Sequence, residues 1–459
     1  MSNNLSKIQI DNIRTNPIGK LMWSLSLPSI VAMVLWGMNT LTDAIFVGQM
    51  LGADALSGVA MSIPFTAITL GLGQWIGGGA ANVLSNAIGA GDKTTQKKIL
   101  PLVLLLSLLA ALLVTLPVYY FAANLMELMG AKGNILHNGL RYFKTTTLAS
   151  FFWIFGMSMN LLIRGEGRIK QSARMIVLGL LVNILLTPIL IHYGKMGTEG
   201  AAWAINIGML VLCGVQLRYF LSGKASFSVS SKFTKWDNAS AKTIIQTGLP
   251  GFLFSIMSLV QSLLMFNVLA DYGSPKDIAV FAAISTINSF LLTPLYGLMQ
   301  AFQPVAGINY GAGQYDRIKT ALWTFSKNGT LLLLPFWLLV ILFSQEVLEL
   351  IVKDYSIASK DLGYFRMTLS VLPLMPFMLV SLNLFPAVKK SAMASLVVLL
   401  RQLLLFVPAM LLLPHLWGVE AIYLGNLFIN VLALLLTAFF VYITLKSFNK
   451  NVEQKYSSI

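Results

Sequence analysis

The chain has 459 residues, of which 56% are hydrophobic and only 11% are charged, and its formal net charge is +15. Soluble domains usually carry about 25% charged residues, so this composition excludes an ordinary soluble protein. The positive charge does not indicate nucleic-acid binding either. The lysines and arginines lie in short gaps between apolar runs and form no basic stripe.

Long apolar segments recur along the whole chain. A helix needs about 20 apolar residues to cross the hydrocarbon core of a bilayer. The predicted segments are 22–47, 56–81, 99–122, 140–163, 172–192, 199–221, 244–270, 278–303, 320–343, 363–385, 393–414 and 419–445. We therefore predict an all-α membrane protein with twelve transmembrane helices.

The loops between these segments alternate in charge. Basic residues are concentrated in every second loop and at both ends of the chain: Lys7, Arg14 and Lys20; Lys93, Lys97 and Lys98; Arg164, Arg168, Lys170 and Arg174; Lys224, Lys232, Lys235 and Lys242; Arg317 and Lys319; Lys389 and Lys390; Lys446, Lys450 and Lys455. By the positive-inside rule these loops and both termini are cytoplasmic. We expect a multi-pass protein of the cell (inner) membrane.

The two halves of the sequence share landmarks in the same order. Four short patterns recur at an offset of about 222 residues: Leu27-Pro28 with Leu249-Pro250, Gly89-Ala90-Gly91 with Gly311-Ala312-Gly313, Ser158-x-Asn160 with Ser381-x-Asn383, and Gly197-x-Glu199 with Gly418-x-Glu420. A repeat of six helices enters the membrane from the same side each time, so an axis along the membrane normal relates the copies. We predict lobes at 1–221 and 244–459, joined by a cytoplasmic linker at 222–243.

Asp43 is the one acid that lies well inside a predicted helix, because nearly all the others map to loops or helix ends. It precedes the turn at Gly52 by about nine residues, or roughly 13 Å along a helix. A charge at that depth costs at least ~2.5–3.5 kcal/mol, so Asp43 must face protein or a wet cavity. A carboxyl that takes up and releases a proton is what a proton-coupled carrier requires. The alternative is a structural carboxyl that hydroxyl and amide neighbours satisfy.

Polar residues on other helices of the first half are candidate partners of Asp43. Asn183 and Thr187 are four residues apart and share one face of helix five. Tyr142 lies on helix four and Asn206 on helix six. Taken singly, each of them is also typical of helix–helix packing in membranes. Because no embedded acid occurs in the second half, we predict ion coupling in the first half and a transport path lined by both.

Methionines, aromatic residues and a glutamine are candidates for the wall of a substrate cavity. Such side chains adapt to varied apolar cations. The candidates are Met33, Trp36, Trp153, Met257, Gln261, Met265 and Tyr296. Lipid-facing or packing roles are the alternative for each one.

Cofactor chemistry finds little support in the sequence. Cys213 is the single cysteine, and the three histidines are far apart without zinc-like spacing. No phosphate-binding Walker motif is present, so ATP is not the predicted energy source. We expect no metal and no cofactor, and not an enzyme.

The chain resembles the multidrug and toxic compound extrusion (MATE) family. The residues that carry the resemblance are Leu27-Pro28, Thr42-Asp43-Ala44-Ile45-Phe46-Val47-Gly48, Ala87-Ile88-Gly89-Ala90-Gly91-Asp92, Arg164-Gly165-Glu166-Gly167, Asn183, Gly197-x-Glu199-Gly200-Ala201-Ala202, Gly311-Ala312-Gly313 and Arg401. The resemblance spans almost the whole chain. It implies a V-shaped pair of six-helix lobes and the efflux of organic cations in exchange for protons or sodium.

The resemblance also implies roles for single residues. The family's helix-one aspartate falls on Asp43, its helix-five asparagine on Asn183 and its helix-four tyrosine on Tyr142. Its helix-one proline, linked to bending of that helix, falls on Pro28. Many bacterial members carry a second aspartate where this chain has Thr187, and the second-lobe acids of some sodium-coupled members are missing. These departures favour protons and leave sodium open.

The leading hypothesis is a monomeric, proton-coupled multidrug antiporter that acts on small-molecule organic cations or drugs within the lipid bilayer, without nucleic acid. A flippase for lipid-linked sugars from the same superfamily is the alternative, although such proteins often have fourteen helices and basic cavities. A membrane enzyme would need clustered histidines and acids at one membrane face. A channel suits two repeated lobes around one acid less well.

Overall fold

The computed structural model describes residues 10–129, 131–227, 237–352 and 356–457, and their side chains except those of 128 and 450–457. Within these residues the secondary structure is helical throughout. Eleven helical stretches are long and apolar enough to cross a membrane, and a bent pair of helices makes a twelfth. This confirms the predicted all-α membrane fold.

The helices follow one another with short connections. The first six spans are α1 (Ile18–Leu51), α2 (Ala53–Ala60 and Ile63–Ala90), α3 (Lys93–Tyr120), α4 (Gly133–Leu148 and Ser150–Gly165), α5 (Ile169–Pro188, with a π-helical end at Ile189–Tyr193) and α6 (Thr198–Leu221). The next six are α7 (Asn238–Tyr272), α8 (Pro275–Gly311), α9 (Tyr315–Leu342), α10 (Ser359–Leu369 and Met375–Ala387), α11 (Ser391–Leu399, a π-helical turn at Leu400–Leu404, Phe406–Leu412 and Pro414–Trp417) and α12 (Glu420–Ser457). Short helices Ala122–Leu128 and Ser344–Ile351 follow α3 and α9.

Most helices extend beyond the predicted segments. The predicted seventh segment, 244–270, lies inside α7, which begins six residues earlier at Asn238. The Asp237 side chain caps this helix by accepting the backbone N–H of Ala239. A polar first turn outside the hydrocarbon core leaves no trace in hydropathy. The part between α6 and α7 is therefore 222–237, and of it 228–236 lie outside the described residues.

The backbone repeats the same conformations in the two halves. Gly91 and Gly313 both have φ +72°, and they end α2 and follow α8 respectively. Gly197 has φ 58° and ψ −139°, and Gly418 has φ 56° and ψ −138°. Positive φ is open to glycine at little cost, so these positions need glycine for the turn itself. The predicted repeat is a property of the backbone and not only of sequence letters.

Glycines let the two lobes approach to backbone contact. A Cβ atom on Gly79 of α2 would lie 2.0 Å from the Ile244 carbonyl oxygen of α7, and one on Gly248 would lie 1.8 Å from the Trp75 oxygen. The ends of α2 and α8 meet in the same way. Small residues at such crossings are how helices in membranes pack closely.

Apart from the Gln300–Met33 contact near mid-helix, the hydrogen bonds between the lobes lie on the side where α1 begins and α12 ends, here called the basic side. Among the described residues, Gln303 Nε2 donates to Asn82 Oδ1 (3.0 Å) and Ser85 Oγ (3.1 Å), and Asn86 Nδ2 donates to the Ala387 oxygen (3.0 Å). Others join Trp75 to Ile245, Lys98 to Asp237, and Arg317 to Ile13 and Asn16. The described residues show no such bond near the opposite ends of the helices, so the lobes are fastened at the basic side.

Glu166 holds the chain after α6 against the first lobe. It lies between α4 and α5 and is 0% exposed. Its two carboxyl oxygens accept the Tyr219 hydroxyl and the backbone N–H of Ser226, both at 2.5 Å. Arg168 is near enough to interact with it electrostatically. Phe227 then packs on Phe220, with ring centroids 6.0 Å apart.

Stability is expected to fall as pH rises because of Glu166. Burial raises the pKa of Glu166 from 4.5 to about 7. The folded protein then binds this proton more tightly than the unfolded chain does. The free energy of unfolding therefore decreases between about pH 4.5 and 7, and above pH 7 it no longer changes with this group. The full loss is about 3 kcal/mol. We expect the thermal midpoint of Glu166→Gln, measured in detergent, to depend less on pH between pH 5 and 8 than that of the unaltered chain. Glu346→Gln, at an exposed acid, is the control, and an unchanged slope in Glu166→Gln would contradict the assignment.

Candidate functional site

Asp43 lies in the last third of α1, eight residues or roughly 12 Å before the helix ends at Leu51. Its side chain is half-buried. Asn39, one turn earlier on the same helix, donates from Nδ2 to Asp43 Oδ2 over 3.3 Å. The spacing of four residues places both side chains on one face. Sequence reasoning did not single out Asn39, although this spacing was the available signal.

Thr187 on α5 reaches the other oxygen of Asp43. Its Oγ1 lies 3.3 Å from Asp43 Oδ1 and 2.9 Å from the backbone oxygen of Asn183. A hydroxyl has one proton to donate, so it can serve only one of these acceptors at a time. Which one it serves depends on whether Asp43 carries a proton of its own.

Asn183 completes the cluster from the same face of α5. With its amide nitrogen turned toward α1, it donates to Asp43 Oδ2 (3.1 Å) and to Asn39 Oδ1 (3.0 Å). Its oxygen then accepts the backbone N–H of Ile205 on α6 over 3.2 Å. This orientation satisfies both ends of the amide, which is how an asparagine side chain is assigned. The structure therefore brings Asp43, Asn183 and Thr187 together, with Asn39 as a fourth member.

No lysine or arginine of the described residues forms an ion pair with Asp43. The ion pairs found there are Lys98–Asp237, Arg141–Glu199, Lys276–Asp361 and Lys319–Asp316. Asp43 is held by neutral amide and hydroxyl groups alone. Inside a membrane such a carboxylate lacks a compensating charge, which a bound cation or a proton can supply.

Tyr142 and Asn206 occupy different places around this cluster. Tyr142 is near enough to Asp43 to interact electrostatically, but no hydrogen bond joins the two described side chains. Asn206 bonds elsewhere: its Nδ2 donates to the Thr145 oxygen over 2.8 Å, and its Oδ1 accepts Trp153 Nε1 at 3.4 Å. Of the predicted partners, Asn206 is the one that the structure sets apart from Asp43.

Asn206 contacts α4 at its break, where the Thr146 and Thr147 hydroxyls also bond backbone oxygens of α4. The Ala149 N–H bonds the Thr146 oxygen, three residues back, and the Thr145 oxygen is taken by Asn206. The two parts of α4 meet at 54°. A side chain that enters the ladder of backbone hydrogen bonds is a known cause of such a kink. The role that the contacts give Asn206 is to shape α4, and through it the position of Tyr142.

A family model describes most of the chain. The MatE model matches residues 28–189 and again 250–411, two stretches that begin 222 residues apart. The chain belongs to the MatE family. The two matches cover corresponding helices of the two halves, α1 to α5 and α7 to α11.

Relatives of this MatE chain are similar over 71% to 95% of its length. "Multidrug export protein MepA" of Staphylococcus aureus (strain N315) is 23% identical over 95% of this chain and 96% of its own. "Probable multidrug resistance protein YoeA" of Bacillus subtilis (strain 168) is 22% identical over 71% of this chain and 72% of its own. A structure described as the outward-facing conformation of a multidrug resistance MATE family transporter superposes with a TM-score of 0.88 at 22% identity, covering 96% and 98% of the two chains. At this identity the structure shows the shared fold.

The predicted cavity residues of the MatE chain fall into two groups. Met33, Trp36, Met257, Gln261 and Tyr296 are half-buried. Met33 Sδ also accepts Gln300 Nε2 across the lobe boundary at 3.7 Å. These five retain exposed surface, which either a ligand or lipid can contact.

Trp153 and Met265 are packed inside their lobes, each only 7% exposed. Trp153 lines a cavity of about 20 Å³ beside Phe65 and Thr146. That volume holds about one water molecule and no drug. Met265 belongs to the core of the second lobe. Helical position alone could not separate these two residues from the other five, because a methionine or tryptophan has the same hydropathy on either face.

Proposed function

We propose that this MatE chain is a secondary active multidrug efflux antiporter that exports organic cations in exchange for protons. The printed names of its relatives describe multidrug export and resistance proteins, which supports drug efflux. The observation that carries proton coupling is Asp43, a carboxyl within a membrane helix that is bonded to neutral groups and to no cation of the described residues. A proton is the smallest charge that neutralises it.

Protonation changes what Asp43 can bond. An ionised Asp43 accepts hydrogen bonds from Asn39, Asn183 and Thr187. Once protonated, it has a proton to donate to Thr187 Oγ1, and Thr187 then donates to the Asn183 backbone oxygen. The attraction of Asp43 for the Asn39 amide on its own helix and for the Asn183 amide on α5 weakens accordingly. Proton uptake therefore alters the contact of α1 with α5.

Pro28 gives α1 a place to bend in response. A proline within a helix has no N–H, so the carbonyl of Ser24 lacks its usual donor. Gly297 of α8 contacts α1 just beyond it, at Ile30. We propose that α1 bends near Pro28 when Asp43 is protonated, which shrinks the first-lobe cavity and releases the drug.

The fastening of the lobes determines the side to which the cavity opens in this state. We propose that the basic side is cytoplasmic, by the positive-inside rule, and that both termini lie there. Lobes joined on that side leave the cavity open toward the outside. Protons then reach Asp43 from outside while the drug leaves. Alternating access requires the contacts of the basic side to separate in the next step of the cycle.

Transport into vesicles with each ion gradient imposed separately tests this proposal. Purified protein is reconstituted into liposomes, and uptake of a fluorescent organic cation is followed with a pH gradient alone or a sodium gradient alone. We expect the pH gradient to drive uptake and the sodium gradient to leave it at the level of empty liposomes. Uptake driven by sodium at equal pH would assign sodium to the Asp43 cluster. Uptake under neither gradient would contradict antiport.

A further inference from the structure

Arg401 is a fixed positive charge near the middle of the second lobe. It lies about ten residues, or roughly 15 Å, along α11 from the start at Ser391. It is part of the π-helical turn Leu400–Leu404. Such turns often occur at functional sites. Arg401 is half-buried, and its neighbours belong to the interior helices of the lobe.

The guanidinium is held in place from one side. Arg401 Nε donates to Asn430 Oδ1 on α12 over 2.9 Å. Asn430 is itself fixed, because its Nδ2 donates to Asn426 Oδ1 over 3.1 Å. Tyr296 on α8 is near enough to interact electrostatically with Arg401. The side chain is therefore positioned by two helices before any ligand arrives.

The other end of the guanidinium has no acceptor. Among the described residues, neither terminal nitrogen of Arg401 makes a hydrogen bond, and no carboxylate lies within ion-pair distance. Arg317 is a structural arginine of this chain, and more of its guanidinium N–H groups have acceptors. Its Nη2 donates to the backbone oxygens of Ile13 and Asn16, and its Nε donates to Asn309. Arg401 uses one of five N–H groups, and the free ones form the fork that suits a carboxylate or phosphate.

The charge of Arg401 has no carboxylate partner among the described residues. An unpaired charge at mid-membrane depth is costly and is usually found where a ligand or ion passes. The next residue, Gln402, points to another helix, because its Nε2 donates to Ser258 Oγ of α7 over 3.2 Å. The cluster of Arg401, Tyr296, Asn426 and Asn430 is called the second-lobe polar cluster below.

We propose that the second-lobe polar cluster is a binding subsite for an oxyanion, in which Arg401 binds the carboxylate, phosphonate or sulfonate group of an amphiphilic substrate. This deepens the proposed function, since drug efflux is assumed when the occupant is called a substrate. It places the anionic group of a zwitterionic substrate in the second lobe, and the positive group remains free for the aromatic wall of the cavity. A phospholipid headgroup carries the same anionic chemistry.

Two dyes that differ by one methyl ester test the subsite. A rhodamine free acid is zwitterionic, and its methyl ester is a cation of nearly the same shape. Binding of each to the purified chain in phosphatidylcholine nanodiscs is measured by fluorescence polarisation. We expect Arg401→Gln to weaken binding of the free acid at least tenfold and binding of the ester less than twofold. Arg401→Lys keeps the charge without the fork and should give an intermediate loss for the acid.

The outcomes separate this inference from the proposed function. Equal weakening of both dyes in Arg401→Gln, or no weakening of either, overturns the subsite. Failure of the unaltered chain to bind the free acid also overturns it, whatever the ester does. Transport of the methyl ester into vesicles under an imposed ion gradient tests drug efflux independently of the subsite. Adding phosphatidylglycerol to the nanodiscs identifies the source of the anion. If this lipid weakens binding of the free acid in the unaltered chain but not in Arg401→Gln, the oxyanion subsite is supported and its occupant is a lipid headgroup.

Discussion

Asp43→Asn is expected to abolish uptake driven by a pH gradient, lowering the initial rate at least tenfold. Asparagine has nearly the shape of aspartate and can still bond Asn39 and Thr187, but it cannot bind and release a proton. The measurement is uptake of a fluorescent organic cation into liposomes with an imposed pH gradient. Equal protein incorporation and an unchanged thermal midpoint show that the fold is intact.

Asp54→Asn provides the matched control for this substitution. Asp54 is an exposed acid in the first turn of α2, close in sequence to Asp43 and outside the cluster. We expect Asp54→Asn to transport at the rate of the unaltered chain. Retained pH-driven uptake in Asp43→Asn at normal incorporation would refute the assignment of Asp43 as the coupling residue.

Gly79→Leu is expected to prevent the lobes from closing at the basic side. Even a Cβ atom there would lie 2.0 Å from the backbone oxygen of Ile244, and backbone cannot move aside as a flexible side chain can. The substituted chain should lose the arrangement in which the lobes meet at the basic side, and it should transport at least tenfold more slowly. Gly78→Leu is the matched control, because a Cβ on Gly78 meets nothing within 4 Å.

Spin labels on the two lobes report this change directly. With Cys213 replaced by serine, labelled cysteines at Asp54 and Asp271 mark the ends of α2 and α7 away from the basic side, and both positions are exposed. We expect the distance between the labels to shorten in Gly79→Leu and to stay unchanged in Gly78→Leu. An unchanged distance with normal transport in Gly79→Leu would show that the lobes do not close at this contact.

The sequence was informative about the fold because a bilayer restricts the possible answers. Twelve apolar segments predicted twelve spans, since backbone inside lipid must satisfy its own hydrogen bonds and so forms helices. Their ends could not be predicted in the same way. The first turn of α7 at Asn238 is polar, and an aspartate caps it. At the 54° bend in α4 the Thr145 oxygen accepts a bond from Asn206 of another helix, and a contact of this kind cannot be read from the sequence of α4.

The candidate site was predictable to the extent that burial of charge is costly. Asp43 was found because a carboxylate in an apolar helix needs an explanation, and Asn183 and Thr187 because their spacing gives one helix face. Which neutral residue contacts which oxygen depends on the packing of α1 against α5. For the same reason Asn206 was grouped with Asp43, and Asn39 was not.

The contact between the ends of α2 and α8 is reciprocal. A Cβ on Gly89 would meet the Ile308 oxygen at 2.1 Å, and one on Gly311 would meet the Asn86 oxygen at the same distance. Each pair is the other shifted by 222 residues, which is the isologous contact of a two-fold homodimer. A half-length chain could build this interface by self-association. Away from the axis the copies have diverged: Asp43 corresponds to Met265 at this shift, and Arg401 to Gly179. Fusion into one polypeptide lets each lobe carry a charge of opposite sign that its twin lacks.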